Sequence, residues 1–200
     1  IREDGYVYVD KTALVYRLAQ EGQVYFLSRP RRFGKSLLLS TLKSYFLGKK
    51  ELFKGLAIER LEQEWAEYPV FHLSFGTGRF QNPDELERSL WDFIGNLEDM
   101  YGRKPNASTM SNRFRSVIES AHEKTGRKVV VLIDEYDKPI LDVLDSDVIV
   151  RTPEGNSRKL EDYNRELLKG FYGVFKDADP HLRFVFLMGV TKFSQVSVFS

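Results

Sequence analysis

The residues of this 200-residue chain best suited to chemistry fall in two short runs. The first, Arg29-Pro-Arg-Arg-Phe-Gly34-Lys35-Ser36, follows the apolar stretch Val24-Tyr-Phe-Leu27 and opens a leucine-rich segment. Glycine, lysine and a hydroxyl at a helix start behind a buried strand suit a polyphosphate. Backbone N–H groups and the helix N-terminus surround the phosphates, Lys35 reaches the β and γ oxygens, and Ser36 ligates magnesium. The general pattern GxxxxGK[ST] would put its first glycine at Arg29, so the match is incomplete. Without its flanks the tripeptide is equally an ordinary loop ending in a lysine-bearing helix start; the strand before and the helix after favour phosphate. Arg29, Arg31 and Arg32 add cations whose guanidinium groups fit phosphate in bidentate fashion, and spacing does not choose among them. Phe33 reads as packing. The whole stretch Arg29, Pro30, Arg31, Arg32, Phe33, Gly34, Lys35, Ser36 and Leu37 is the expected nucleotide-binding segment.

The second run is Asp134-Glu135-Tyr136-Asp137, at the end of Val129-Val-Val-Leu-Ile133. A buried strand that delivers consecutive carboxylates at its C-terminal edge puts them where open α/β sheets bind ligands. Asp134 is expected to hold magnesium, largely through water, and Glu135 to orient and deprotonate an attacking water. An acidic pair capping the next helix is the plainer alternative, and the two runs together argue against it. Asp137 reads as the N-cap of a helix through Ile140 and Leu141, with a metal contact as the other reading. Lys138 reads as a surface cation. Thr191 or Lys192, after Phe184-Val-Phe-Leu-Met188, stands where a residue touching the γ-phosphate or the water is needed, or else is a polar strand end facing solvent. Ser194 and Gln195 rank below them.

Other chemistries lack their residues. There is no cysteine, so disulfide scaffolds and cysteine-zinc sites are excluded. His72, His122 and His181 are scattered, and no GxSxG elbow offers a nucleophile for acyl transfer. A GTPase would follow its metal-binding Asp with DxxG and carry NKxD, but Asp134-Glu-Tyr-Asp137 lacks the glycine and Thr191-Lys-Phe-Ser194 is not NKxD, which favours ATP over GTP.

These residues need a scaffold. Runs at Val24–Leu27, Val70–Phe75, Val129–Ile133 and Phe184–Met188 look like strands covered on both faces of a parallel sheet. Helices are expected over Lys11–Glu21, Lys35–Leu47, Pro83–Tyr101, Asn112–Thr125, Asp137–Leu144 and Leu160–Lys176. Ser146–Asn156 reads as a small hairpin or a mobile loop. The alternation is that of an α/β fold. With 30 Lys plus Arg against 29 Asp plus Glu there is no global basic excess, which leaves nucleic-acid binding open only through a local patch. No apolar stretch approaches a membrane span and no signal peptide opens the chain, so a soluble, cytoplasmic protein is expected. The start at Ile1 and the stop at Ser200, just after Val196-Ser-Val-Phe199, suggest a fragment.

Tyr8-Val-Asp-Lys-Thr12, Phe26 to Thr41, Leu132-Ile-Asp-Glu-Tyr-Asp-Lys-Pro-Ile140 and Phe184 to Phe199 together resemble the signature blocks of the AAA-ATPase-like domain family. This is a mostly prokaryotic group of P-loop proteins. The resemblance spans essentially the whole chain, and the missing first glycine then belongs to that family's own loop. It implies an additional-strand P-loop ATPase with a catalytic Glu, here Glu135, after the magnesium Asp, here Asp134. It also implies that a restriction-endonuclease-like nuclease domain commonly follows the ATPase. Asp10 and Lys11 match the opening block, Asp10 either capping a helix or lying near the nucleotide base. Residues 145–161 look like a variable insertion in one domain covering 1–200. The resulting expectation is a parallel sheet with order 2-3-4-1 among the four runs, its fifth strand lying beyond Ser200, that uses ATP and Mg2+. Hydrolysis would drive a conformational change in an attached module. A nucleotide switch without turnover and a small-molecule kinase are the alternatives, and homo-oligomerisation is left open.

Overall fold

The computed structural model describes residues 5, 7–151 and 155–191; Lys192, Ser194 and Gln195 lie outside them. The described strands are β1 (Val24–Ser28), β2 (Val70–Ser74), β3 (Val129–Asp134), β4 (Ile149–Arg151), β5 (Ser157–Lys159) and β6 (Leu182–Gly189). The helices are α1 (Thr12–Glu21), α2 (Lys35–Phe46), α3 (Ala57–Leu61), α4 (Pro83–Tyr101), α5 (Met110–Thr125), α6 (Lys138–Leu141) and α7 (Leu160–Asp177).

Four strands form a parallel sheet in the order β1-β6-β3-β2. Ser28 pairs with Gly189, and Asp134 with both Met188 and Ser74, so the C-terminal ends of all four strands share one edge. Successive strand residues face opposite sides. Accordingly Val129, Val131 and Ile133 join a core with α4, α5 and α7, whereas Val130 and Leu132 join one with α1, α2 and α3. Within the first core Phe114 and Phe171 stack with ring centroids 4.3 Å apart. Each buried phenylalanine is worth about 1.5–3 kcal/mol of transfer free energy, so this face anchors the sheet.

Only β3 and β6 meet the expectation of strands buried on both faces. In β1, Val24 and Phe26 are 39% and 40% exposed, and β2 alternates buried Phe71 and Leu73 with exposed His72. Both strands are at the sides of the described sheet, where one row of side chains has less to pack against.

Local chemistry sets the helix starts. The Glu85 carboxylate accepts from the backbone and side-chain amides of Asn82 ahead of Pro83, beginning α4 at the predicted residue. Thr109 caps α5 through the Asn112 N–H, which begins that helix two residues before the expected Asn112. Ser146–Asn156 resolves in part into β4, which pairs antiparallel with β5; residues 152–154 are outside the described set. Sequence gave no reading for the stretch that holds α3.

Candidate functional site

The first wall of the site is the turn from β1 into α2. Gly34 has φ 71° and stands at the N-cap of α2, a left-handed conformation that disfavours any side chain. A Cβ there would meet nothing within 4 Å, so it is the backbone geometry, not crowding, that asks for glycine. Arg32 takes the same region with φ 67°, at a cost of about 1–2 kcal/mol for a residue with a Cβ. Arg29, Pro30, Arg31, Arg32, Phe33, Gly34, Ser36 and Leu37 are exposed, and Lys35 is half-buried. Among the described residues no ion pair involves Arg29, Arg31 or Arg32. Lys35 Nζ donates to the Arg29 carbonyl at 2.9 Å. Free amides at a helix start, with lysine and hydroxyl beside them, can cradle an anion.

The second wall is the end of β3. Asp134 is half-buried, and desolvation pushes its carboxyl up, while the Glu135 backbone N–H and the charge of Lys35 act in the opposite direction. The charge of Lys35 is thus felt at Asp134, and the strand register sets the ends of β1 and β3 on the same edge of the sheet. Glu135 sits in the left-handed region with φ 54°, a strained geometry of the kind found where backbone conformation serves a site. Its side chain lies beside the end of β2, where a Cβ added to Gly76 would be 3.8 Å from Glu135 Oε2 and 3.3 Å from Ser74 Oγ. No motif pointed to Ser74 or Gly76; strand register was the one signal that could have found them.

Asp137 corrects its reading. It holds the N-cap position of α6, but its side chain makes no capping hydrogen bond. The carboxylate is turned to the end of β6, where Oδ2 accepts from Val190 N, Thr191 N and Thr191 Oγ1 at 2.8, 2.6 and 2.7 Å. Thr191 is thus at the strand edge with its hydroxyl engaged, and Lys192 is outside the described residues. Nor is Lys138 a surface cation: Nζ donates to the Gly78 carbonyl at 2.8 Å and to Asp142, tying α6 to the segment after β2.

Beside the loop, an open groove of about 600 Å³ runs along β1 between α1 and α2. Val9, Lys11, Leu14, Phe26, Phe33 and Leu37 help to line it. Phe33 is 62% exposed there, so it packs against no core, contrary to its reading. Asp10 is a tether: Oδ1 accepts from Thr12 N and Oγ1, and Oδ2 accepts from Ala57 N. His122 and His181, scattered in sequence, bring their Nδ1 atoms to 2.9 Å at the opposite end of the sheet. Among the described residues no three His, Asp or Glu side chains gather as a metal cluster, and no helix is long and apolar enough to cross a membrane.

Known proteins give the same direction. No solved structure matches the chain. A protein of Azotobacter chroococcum mcd 1, described as an uncharacterized protein in the vnfD 5' region, is 43% identical over 202 residues. That match covers 100% of this chain and 37% of the relative, so the chain spans well under half the length of the protein it resembles. The family model described as "Predicted AAA-ATPase" matches residues 1–199. With a parallel sheet, a Gly-Lys-Ser helix start and an acidic strand end on one edge, the chain belongs to this predicted AAA-ATPase family.

Proposed function

We propose that the chain binds ATP at Arg29–Leu37 and hydrolyses it, and that turnover moves an attached module of a longer protein. The observation that carries this reading is the strand register, which brings Ser28, at the entry to the Gly34-Lys35-Ser36 helix start, and Asp134 to one edge of the sheet on either side of β6. The amides at the α2 start and Lys35 bind the phosphates, and an arginine of the loop screens their charge. Base and ribose rest in the apolar groove beside β1, whose volume is in the range of small-molecule sites. Glu135 orients the attacking water and takes its proton. Catalysis comes from positioning and charge stabilisation in an in-line displacement.

Magnesium fits the donors at hand. Ser36 and Asp134 offer hard oxygen ligands, and a dication would relieve the cost of ionising the desolvated Asp134. Bound there with the nucleotide, the ion would neutralise charge on the β and γ oxygens. We assign the sheet to the additional-strand P-loop type, with a fifth strand from the longer protein beside β1, and place the reaction in the cytoplasm.

The test is ATP binding and phosphate release by wild type, Lys35→Ala and Glu135→Gln. Losing the charged phosphate contact in Lys35→Ala should weaken binding about 100-fold. Glu135→Gln should keep its affinity and lose turnover about 1000-fold, as expected for removal of a general base. Wild-type turnover in Glu135→Gln would show that another group activates the water.

A further inference from the structure

We propose that Asp137 is the positioning residue that makes Thr191 a hydrogen-bond acceptor for the attacking water, a role that rests on the ATPase reading above. Asp137 is 3% exposed, and one of its oxygens collects three donors from Val190 and Thr191. Bonds from N–H or O–H to a carboxylate are charge-assisted, so this is a firm clamp on the turn that leaves β6. The turn is held from other directions as well. Tyr136 Oη donates to the Thr191 carbonyl at 2.6 Å, and the buried Tyr172 Oη donates to the Tyr136 carbonyl at 3.2 Å. On the loop side, Ser28 Oγ donates to the Val190 carbonyl at 2.9 Å and Arg29 N to the Gly189 carbonyl at 3.1 Å. Residues 189–191 are therefore the bridge between the phosphate loop and the acidic strand end.

The chemistry follows from counting protons. A threonine hydroxyl has one proton to give, and Thr191 gives it to Asp137 Oδ2. What remains on Oγ1 is lone pairs. Such an oxygen accepts from a water and has nothing to donate to a phosphate oxygen, so Thr191 selects the water over the γ-phosphate. Asp137 sets this polarity through one oxygen, Oδ2, which takes all three donors at the end of β6. The close fit explains Gly189, where a Cβ would come 2.6 Å from Asp137 Oδ1 and 2.7 Å from Tyr136 Cε1.

The test combines amide hydrogen exchange at Val190 and Thr191 with ATP affinity and turnover, for Asp137→Ala, Asp137→Asn and Thr191→Val. Asp137→Ala should speed exchange of both amides about 100-fold by freeing the turn. It should lower kcat about 10–100-fold, as loss of one oriented group does, and leave ATP affinity within about twofold. Asp137→Asn keeps an acceptor oxygen and should restore most of the exchange protection and much of the kcat. Thr191→Val should lower kcat while both amides stay protected; because its side chain is exposed, it carries the test if Asp137→Ala does not fold. Fast exchange with unchanged kcat in Asp137→Ala, or full turnover in Thr191→Val, would overturn the proposal. Absence of phosphate release by wild type would instead sink the ATPase reading, and the exchange data would still decide whether Asp137 clamps the turn.

Discussion

The two walls of the cleft are built in opposite ways. The basic wall, Arg29 to Ser36, is exposed along almost its whole length, and its arginines make no ion pairs among the described residues. The acidic wall, Asp134 to Asp137, is half-buried to buried and stitched to the neighbouring strand ends and to α7 through Tyr136, Asp137 and Tyr172. Carboxylates held by packing are arranged in advance, whereas an exposed cationic loop has fewer contacts to hold its side chains in place. The contrast teaches that tertiary packing and hydrogen bonds fix the acidic wall, whereas local backbone geometry at Arg32 and Gly34 shapes the basic one.

Two glycines offer the sharpest way to break that contrast. On the packed side, Gly189→Ala drives a methyl into the Asp137 carboxylate and the Tyr136 ring, and should cost about 2 kcal/mol of stability, the scale of core overpacking. On the open side, Gly34→Ala meets no atom and pays only for its left-handed backbone, about 1 kcal/mol. Thermal melts compare the two; equal losses would mean that both walls are alike. Next, Arg32→Gly should relieve its positive φ and raise Tm by about 2–4 °C, the shift expected for about 1 kcal/mol in a chain of this size. An unchanged or lower Tm would show that Arg32 holds a stabilising contact.

The smallest effect concerns Asp134. Its folded carboxyl is pushed above the ordinary aspartate value, so ionising it disfavours the folded state. Its favourable contribution is complete below that ordinary value and is lost as pH rises through the elevated folded one. Against Asp134→Asn, wild type should therefore lose relative stability with rising pH across that acidic window and stay level above it. Melts between about pH 3 and pH 7 check this, and a difference that moved the other way would mean that Lys35 and the Glu135 amide outweigh burial.

How much of this was visible in the sequence depended on the range of the interaction. Apolar runs marked all four strands of the main sheet, and Pro83 and Asn82 marked α4, because these signals are local. The family-level resemblance at Ser28–Ser36 and Leu132–Ile140 was equally local. What stayed hidden was tertiary. Asp137 has a cap's position, and nothing near it in sequence says that its carboxylate turns to Thr191, which is 54 residues away. Lys138 resembles any helix cation until Gly78 and Asp142 are placed around it. Phe33 reads as core because aromatics usually are, yet it stands open on the groove.

The central claim is tested most directly by titrating wild-type protein with ATP and Mg2+ and following binding and inorganic phosphate in the same sample. The account predicts saturable binding followed by release of one phosphate for each ADP formed. Binding with no phosphate release would contradict hydrolysis, and no binding at all would contradict the site.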